Sequence, residues 1–209
     1  FSETRAFLPV LIDKMSVCRN SDGSYTVKSK LKTLDGDEAG SFQRNFSEQN
    51  GQRIVYHESV TVEKNLKNKG VSKSLLRDAL NLYDAQGVDS VRLSAGAKVG
   101  GYAWAKYGWE LKDGEASSRL KSHINARLDA LDLSESTRNE VELLRDIEHP
   151  KMIWALADLE EEVEFQGQRT KLGKALLLGS GWEANLSLHD SAARQRLADY
   201  LAPSPVELP

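Results

Sequence analysis

Cysteine is nearly absent from this sequence, since Cys18 is the only one among 209 residues. A single cysteine excludes an intramolecular disulfide bond and a zinc site built from several cysteines. The sequence also lacks any apolar run near the roughly 20 residues that a membrane-spanning helix needs, and no basic-then-apolar signal segment opens it. The first residue is Phe1 and not Met, so we expect a processed or trimmed piece of a longer protein.

The chain has no excess of basic residues either. Its 28 Lys and Arg against 31 Asp and Glu give a net charge of −3 at pH 7, whereas dedicated nucleic-acid and anionic-membrane binders normally carry a strong basic excess. We therefore expect neither a membrane nor a nucleic acid as the partner. Residues 1–113 carry 17 basic and 14 acidic side chains, and residues 114–209 carry 11 and 17. This shift predicts two regions that divide near residue 114.

Alternating side chains between turn signals predict three antiparallel strands in the first region. They cover residues 24–31, 40–46 and 54–62, and the last is rich in β-branched and aromatic residues. The dipeptide Asn50-Gly51 between the second and third strands is a strong hairpin signal.

The period then changes from two to between three and four. Apolar residues from Leu75 to Tyr83 lie on one face of a helix that Gly87 ends, and residues 88–95 form the next predicted strand. A strand–helix–strand unit implies a parallel pair with a right-handed crossover. A short helix over residues 102–106 completes the region, which we assign to 1–113. The predicted fold class is therefore α+β, with a mixed sheet and flanking helices.

Beyond residue 114 the pattern predicts an α-helical C-terminal region, 114–209, without strands. Five helices are expected there, beginning near Leu120, at a cap from Ser134 or Ser136, at Pro150, at Leu172 and at Ser187.

The segment 60–76 carries the clearest chemical signal, because a buried strand leads through a basic loop into a helix. Backbone N–H groups converge in such a loop, and the helix dipole adds partial positive charge to that of Lys67, Lys69 and Lys73. The loop with Gly70 is thus suited to a phosphate or pyrophosphate. The alternative is an exposed lysine-rich turn that merely begins a helix.

This arrangement resembles the phosphate loop of the GNAT superfamily of N-acetyltransferases, whose pattern is Gln/Arg-x-x-Gly-x-Gly/Ala at a strand-to-helix junction. The matching positions are Lys67, Gly70 and Ser72. A strand, a short helix and the run Tyr107-Gly108-Trp109 then follow in the family's order. The resemblance covers residues 20–111 and implies a GNAT-like fold.

The resemblance also implies acetyl-CoA as a co-substrate. Its pantetheine arm would pair with the strand before the loop, where Val60 and Val62 would face it. The phosphates would be surrounded by Lys67, Asn68, Lys69, Gly70, Val71, Ser72 and Lys73.

The catalytic groups implied by the resemblance are a general base and a general acid. The base would be His57 or Glu58, although an isolated strand histidine is usually just hydrogen-bonded and Glu58 is equally a solvent-facing residue. The family's acid is a tyrosine, and Trp104 stands at that position here. Either Tyr107 replaces it, or water protonates the thiolate, or the fold has lost the reaction.

We expect an acetyl-CoA-dependent N-acetyltransferase that acts on a primary amine of a small molecule or a protein. Residues 99–109 also resemble GNAT-like modules of phage-related and polymorphic-toxin proteins, which implies an effector or toxin acting in the cytoplasm, its own or that of a target cell. The alternative is a non-catalytic GNAT-like binding module that docks a protein through the helical region. No metal is expected, because the histidines are too scattered in the sequence.

Overall fold

The computed structural model describes residues 10–67, 69–96, 100–112 and 117–202. The strands within these residues are β1 Val10–Arg19, β2 Tyr25–Thr33, β3 Glu38–Gln49, β4 Gln52–Val62, β5 Ser90–Ala95, β6 Glu110–Leu111, β7 Glu162–Phe165, β8 Gln168–Lys171 and β9 Trp182–Ser187. The helices there are α1 Val71–Ala85, α2 Gly100–Lys106, α3 Ser118–Ala130, α4 Glu135–Arg145, α5 Met152–Ala157, α6 Leu172–Leu177 and α7 Ser191–Leu201. None of these helices combines the length and apolar character that a membrane crossing requires.

The main sheet of the described residues has seven strands in the order β1-β2-β3-β4-β5-β9-β6, and β7 and β8 form a separate hairpin. The first four strands are consecutive and antiparallel. Asn50 and Gly51 join β3 to β4 with φ angles of 53° and 76°, as the sequence predicted, because the hairpin turn requires two left-handed residues. The structure adds β1, which the pattern did not indicate.

The predicted strand–helix–strand unit is present as β4, α1 and β5. Its chain reversal ends at Gly87, which has a φ of 63°. Asp89 then donates its N–H to the Arg53 carbonyl at 2.9 Å, and its carboxylate accepts from the Arg53 N–H at 2.7 Å. Because Arg53 stands near the start of β4 and Asp89 just before β5, both strands begin at the same edge and run parallel. The α+β class with a mixed sheet and flanking helices is therefore confirmed.

The chain divides into two compact units, residues 1–91 with 198–209 and residues 92–197. The core of the first unit includes a hydrophobic cluster to which β2, β3, the loop before α1 and the start of α1 contribute side chains. Its buried members are Leu31, Ala39, Phe42, Leu66 and Val71.

In the second unit, α2 packs closely against the end of α6. A side chain at Gly101 would place its Cβ 2.7 Å from the carbonyl oxygens of Leu177 and Ser180, so only glycine fits there. The Trp182 indole N–H also donates to the Gly101 carbonyl at 3.2 Å. These contacts hold α2 in a fixed position within the unit.

The five helices predicted beyond residue 114 are present, and three strands lie among them that the pattern did not indicate. The hairpin of β7 and β8 turns at Gln166 and Gly167, whose φ angles are 54° and 74°. The last helix begins at Ser191 rather than near Ser187, because Asp190 caps it by accepting the N–H groups of Ala192 and Ala193.

Candidate functional site

The loop between β4 and α1 is anchored at both ends by buried apolar side chains. Leu66 is 6% exposed and closes a single 3₁₀ turn, and Val71 is 1% exposed and begins α1. Both belong to the core cluster of the first unit. Lys67 and Lys69 point outward and are exposed, so apolar burial fixes the loop while its charges stay available to a ligand.

The first turn of α1 has the features of an anion-binding helix end. Gly70 precedes the helix in the left-handed conformation, with a φ of 79°, and among the described residues no side chain caps the helix. The first turn contains no acidic residue, and Ser72 is exposed within it. The N–H groups of a first helical turn have no partner within their helix, and the dipole makes this end positive. The arrangement therefore favours a bound phosphate.

Lys73 lies in α1, and its ammonium makes contacts that differ from those of Lys67 and Lys69 in the loop. Its ammonium donates to the carbonyl of Tyr200 at 2.7 Å and lies 4.3 Å from the centre of the Tyr200 ring. Arg77, one turn later, donates to the carbonyl of Leu201 at 2.9 Å. Burial, and then the charge of Arg77, lower the pKa of Lys73. Lys73 thus joins α1 to the C-terminal end of α7.

Val60 and Val62 lie in the last part of β4. In the antiparallel ladder they stand opposite Phe42 and Gly40. Val62 packs against the core cluster, whereas Val60 is 45% exposed. The end of β4 therefore keeps an accessible surface beside the loop.

The ladder between β3 and β4 is interrupted at Glu58. Gln43 stands opposite Ser59 and Arg44 opposite His57, so Glu58 is an extra residue with no partner in this ladder. Glu58 is also exposed. Such a bulge re-aims a side chain and leaves backbone groups outside the regular pattern.

His57 points the other way, into the space between the sheet and α1. Its Nε2 atom lies 2.8 Å from the hydroxyl of Tyr83, a residue that is fully buried. The guanidinium of Arg44 lies 5.6 Å from the centre of the Tyr83 ring. Burial, reinforced by the charge of Arg44, lowers the pKa of His57 to about 3, and burial raises the pKa of Tyr83 to about 12. Both side chains are therefore neutral at pH 7.

Tyr107 belongs to the second unit and directly follows α2. Its backbone N–H donates to the carbonyls of Ala103 and Trp104, and its side chain is partly buried. The Trp104 ring packs at 61° against Trp109, with 4.8 Å between the ring centres. Trp109 is fully buried, so Trp104 is held by an aromatic neighbour.

Comparison with known proteins gives matches at the level of structure. Scans against protein-family models and curated proteins found no match. A GNAT family acetyltransferase from Elizabethkingia anophelis, solved with acetyl-CoA bound, aligns over 78% of this chain and 76% of its own, with a TM-score of 0.39 and 11% identity. The IAA acetyltransferase from Bacillus cereus ATCC 14579 aligns over 78% of each chain, with a TM-score of 0.38 and 16% identity.

Other alignments cover less. An aminoglycoside acetyltransferase from an uncultured soil metagenomic sample aligns over 35% of this chain and 48% of its own, with a TM-score of 0.29 and 20% identity. This chain thus spans about half the length of that protein. The chain is similar to acetyltransferases of known structure.

The structure brings most of the predicted site residues into the first unit. These are His57, Glu58, Val60, Val62, Lys67, Lys69, Gly70, Val71, Ser72 and Lys73. Tyr107 lies in the second unit, and Asn68 lies outside the described residues.

Two partners of these residues escaped the sequence reasoning. Tyr83 holds His57 from a position 26 residues further along the chain, and Tyr200 holds Lys73 from 127 residues away. The only sequence signal for Tyr83 was its place on the apolar face of the predicted helix, and no local pattern indicated the role of Tyr200.

Proposed function

We propose that this protein is an acetyl-CoA-dependent N-acetyltransferase that acts on a primary amine. The observation that carries the proposal is the uncapped first turn of α1, which follows β4 directly and begins at the left-handed Gly70. Lys67 and Lys69 stand exposed beside it. The backbone N–H groups of a first helical turn, a helix dipole and two ammonium groups together suit a pyrophosphate.

The end of β4 would hold the rest of the co-substrate. Val60 is 45% exposed and directly precedes the loop, so the strand surface beside the phosphate site is open to a ligand. We infer that the backbone of Val60 and Val62 pairs with the pantetheine arm, as a further strand would. The neighbouring Val71 supplies a backbone N–H to the phosphates, while Lys73 contributes chiefly by positioning α1.

Glu58 is the general base in this proposal. It is exposed at a bulge of β4, whereas His57 is half-buried, lies against the Tyr83 hydroxyl and has its pKa lowered to about 3. Glu58 takes one proton from the ammonium group of the acceptor, and the uncharged amine attacks the thioester carbonyl to form the C–N bond. The C–S bond then breaks, and Tyr107, in place of the family's tyrosine, gives its proton to the departing thiolate. The second proton lost by the nitrogen restores the Tyr107 hydroxyl through water, and Glu58 releases its proton to solvent.

The proposal leaves three kinds of primary amine as the acceptor, namely a small molecule, a lysine side chain or an aminoacyl group. Each would react with the thioester in its uncharged form. The resemblance of residues 99–109 to modules of polymorphic toxins supports an effector role as part of the proposal.

A second candidate is a non-catalytic module that keeps the co-substrate site without the reaction. The observation that favours it is Trp104, whose ring packs on Trp109 at the position of the family's tyrosine. An indole N–H does not donate a proton usefully to sulfur at neutral pH. Such a module would bind a protein partner through the helices that follow residue 114.

The first test is a Gly70→Asp variant titrated with CoA in a calorimeter. We expect binding to fall below detection, because the introduced aspartate would place a side chain and a negative charge where the phosphates bind. The matched control is Gly36→Asp, since Gly36 also has a positive φ, 92°, and a Cβ there would meet nothing within 4 Å. The control should bind CoA as the wild type does.

Three results would redirect the proposal. Unchanged CoA affinity in Gly70→Asp would move the phosphate site elsewhere. CoA binding without thiol release from acetyl-CoA, with any amine of a broad panel, would favour the non-catalytic module. A wild-type protein without affinity for CoA would contradict both candidates.

A further inference from the structure

Strand β1 forms one edge of the main sheet and is unusually apolar and open. Within the described residues it pairs only with β2. Ile12, Met15 and Val17 are 57%, 61% and 57% exposed. Soluble proteins normally protect a long edge strand with charges, prolines, bulges or a covering element, because its free N–H and C=O groups invite another strand. In β1 a bulge and two charged residues stand at the centre, and the exposed apolar side chains lie on both sides of them. The exposed row therefore indicates an interaction surface.

The three apolar side chains share one face of β1. They stand opposite Leu31, Ser29 and Val27 of β2, and this is the face of β2 that contains the buried Leu31 and Ser29. Ile12 and Met15 are three positions apart, so they share a face only because the ladder skips one residue between Ile12 and Lys14.

The skipped residue is Asp13, and it lies with Lys14 on the opposite face. Its carboxylate contacts the ammonium of Lys32 at 3.1 Å. Lys14 stands opposite Lys30, which is exposed while its neighbours Ser29 and Leu31 are buried. The centre of β1 thus carries one acidic and one basic residue side by side on one face.

We propose that β1 pairs antiparallel with β1 of a second copy of this chain, about a two-fold axis between Asp13 and Lys14. In this register Asp13 of each copy faces Lys14 of the other, Ile12 faces Met15, and Val10 faces Val17. Each of these pairs joins side chains of the same face, apolar with apolar or acid with base, and the remaining pair places the exposed Leu11 opposite Ser16 on the charged face. The paired segment covers residues 10–17 of each strand and is interrupted at its centre by the two bulges, so the regular ladders lie on either side of the axis.

The charge pattern selects this register. A shift by two residues would place Lys14 opposite Met15 in one direction and Ile12 opposite Asp13 in the other, and each of these pairs joins residues of different faces. Both shifts would separate Asp13 from Lys14. The bulge is therefore needed for this pairing. It makes residues at equal distances on the two sides of the strand centre lie on the same face, as the two-fold axis requires. Self-complementarity of this kind is what a two-fold interface requires.

The test is a pair of charge-reversal variants, Asp13→Lys and Lys14→Asp, followed by analytical ultracentrifugation. Each variant alone would oppose like charges at both central positions, so we expect its dimer dissociation constant to rise at least about tenfold over that of the wild type. A one-to-one mixture restores both ion pairs, and we expect mixed dimers of near wild-type affinity. The mixture also shows that each variant is folded.

Lys28→Asp is the matched control. Lys28 is exposed on the same face but on β2, one strand inside the edge, so the control should dimerise as the wild type does. A wild-type chain that stays monomeric at every accessible concentration would overturn the proposal and leave the edge to a strand of another protein. A dimer dissociation constant that is unchanged in both Asp13→Lys and Lys14→Asp would also overturn it.

The native cysteine provides a measurement of the register. Cys18 is exposed on β1, and spin labels on the two copies would lie nine residue steps apart along the paired strands. At about 3.4 Å per residue the backbone separation is about 30 Å. A dipolar distance distribution centred near that value would support the register, and one centred well away from it would exclude the register.

Discussion

At the scale of single residues, the proposed reaction depends on which side chain protonates the leaving thiolate. Trp104 stands where the resembling family has a tyrosine, and its ring is held at 4.8 Å from that of the buried Trp109. Tyr107, the first residue after α2, keeps a hydroxyl in this part of the chain. The substitution of one side chain therefore moves the proposed acid by three positions.

Tyr107→Phe should lower the turnover number by about 10²–10⁴-fold, the usual contribution of general acid catalysis. The variant removes only the hydroxyl and keeps the ring, so the melting temperature should change little. The measurement is the release of free thiol from acetyl-CoA with a panel of amines.

Tyr102→Phe is the control for that experiment, because Tyr102 lies in α2 and is partly buried, as is Tyr107 directly after the helix. It should retain wild-type turnover. Equal turnover in wild type and Tyr107→Phe would remove Tyr107 from the mechanism and leave water as the proton donor.

At the scale of elements, α1 has two distinct uses. Its first turn has no side-chain cap among the described residues and presents the exposed Ser72, which suits an anion. Its Lys73 and Arg77 instead donate to the last carbonyls of α7, from Tyr200 and Leu201. Cations at a helix C-terminus satisfy carbonyls that have no partner in their own helix and offset the negative end of the dipole. The two uses lie on different parts of one helix.

Lys69→Met and Lys73→Met should separate these two uses. Lys73→Met removes a charged hydrogen bond, so we expect it to lower the free energy of unfolding by about 1–2 kcal/mol and to speed hydrogen exchange at the end of α7. Lys69→Met should instead weaken CoA binding by about 1 kcal/mol, since one charge-assisted contact is lost. Denaturant unfolding and calorimetry of both variants are the measurements. Loss of CoA affinity in Lys73→Met together with loss of stability in Lys69→Met would show that the two lysines have the reverse roles.

At the scale of the whole molecule, His57 connects folding to pH. Its pKa falls from 6.5 to about 3 on folding, so between these values the unfolded chain binds more protons than the folded one. The contribution of His57 to the free energy of unfolding is therefore fully present above about pH 6.5. It is lost progressively as the pH falls towards 3. The slope from one such group approaches about 1.4 kcal/mol per pH unit.

His57→Gln should reduce that slope, because glutamine does not titrate and can still bond to Tyr83. We expect the free energy of unfolding of the variant to fall less steeply than that of the wild type between pH 6 and pH 4.5, by about 1 kcal/mol per unit. Urea unfolding across this range is the measurement. Parallel curves for wild type and His57→Gln would contradict the lowered pKa of His57.

The sequence by itself determined the elements whose signals are local. β2, β3, β4 and α1 follow from alternation, from helical spacing and from the Asn50-Gly51 turn, and the basic loop before α1 was visible in the same way. A period or a turn dipeptide needs only neighbouring residues, so it can be recognised without the fold.

Only the tertiary structure decided which distant groups meet. It turned His57 towards Tyr83 and left Glu58 exposed at a bulge, although the two residues are adjacent. It also determined that Lys73 donates a hydrogen bond to a carbonyl at the end of α7. In the same way it paired β9, from the predicted helical region, with β6. The physical reason is that these contacts depend on burial and strand register between segments far apart in the chain, and no local pattern contains that information.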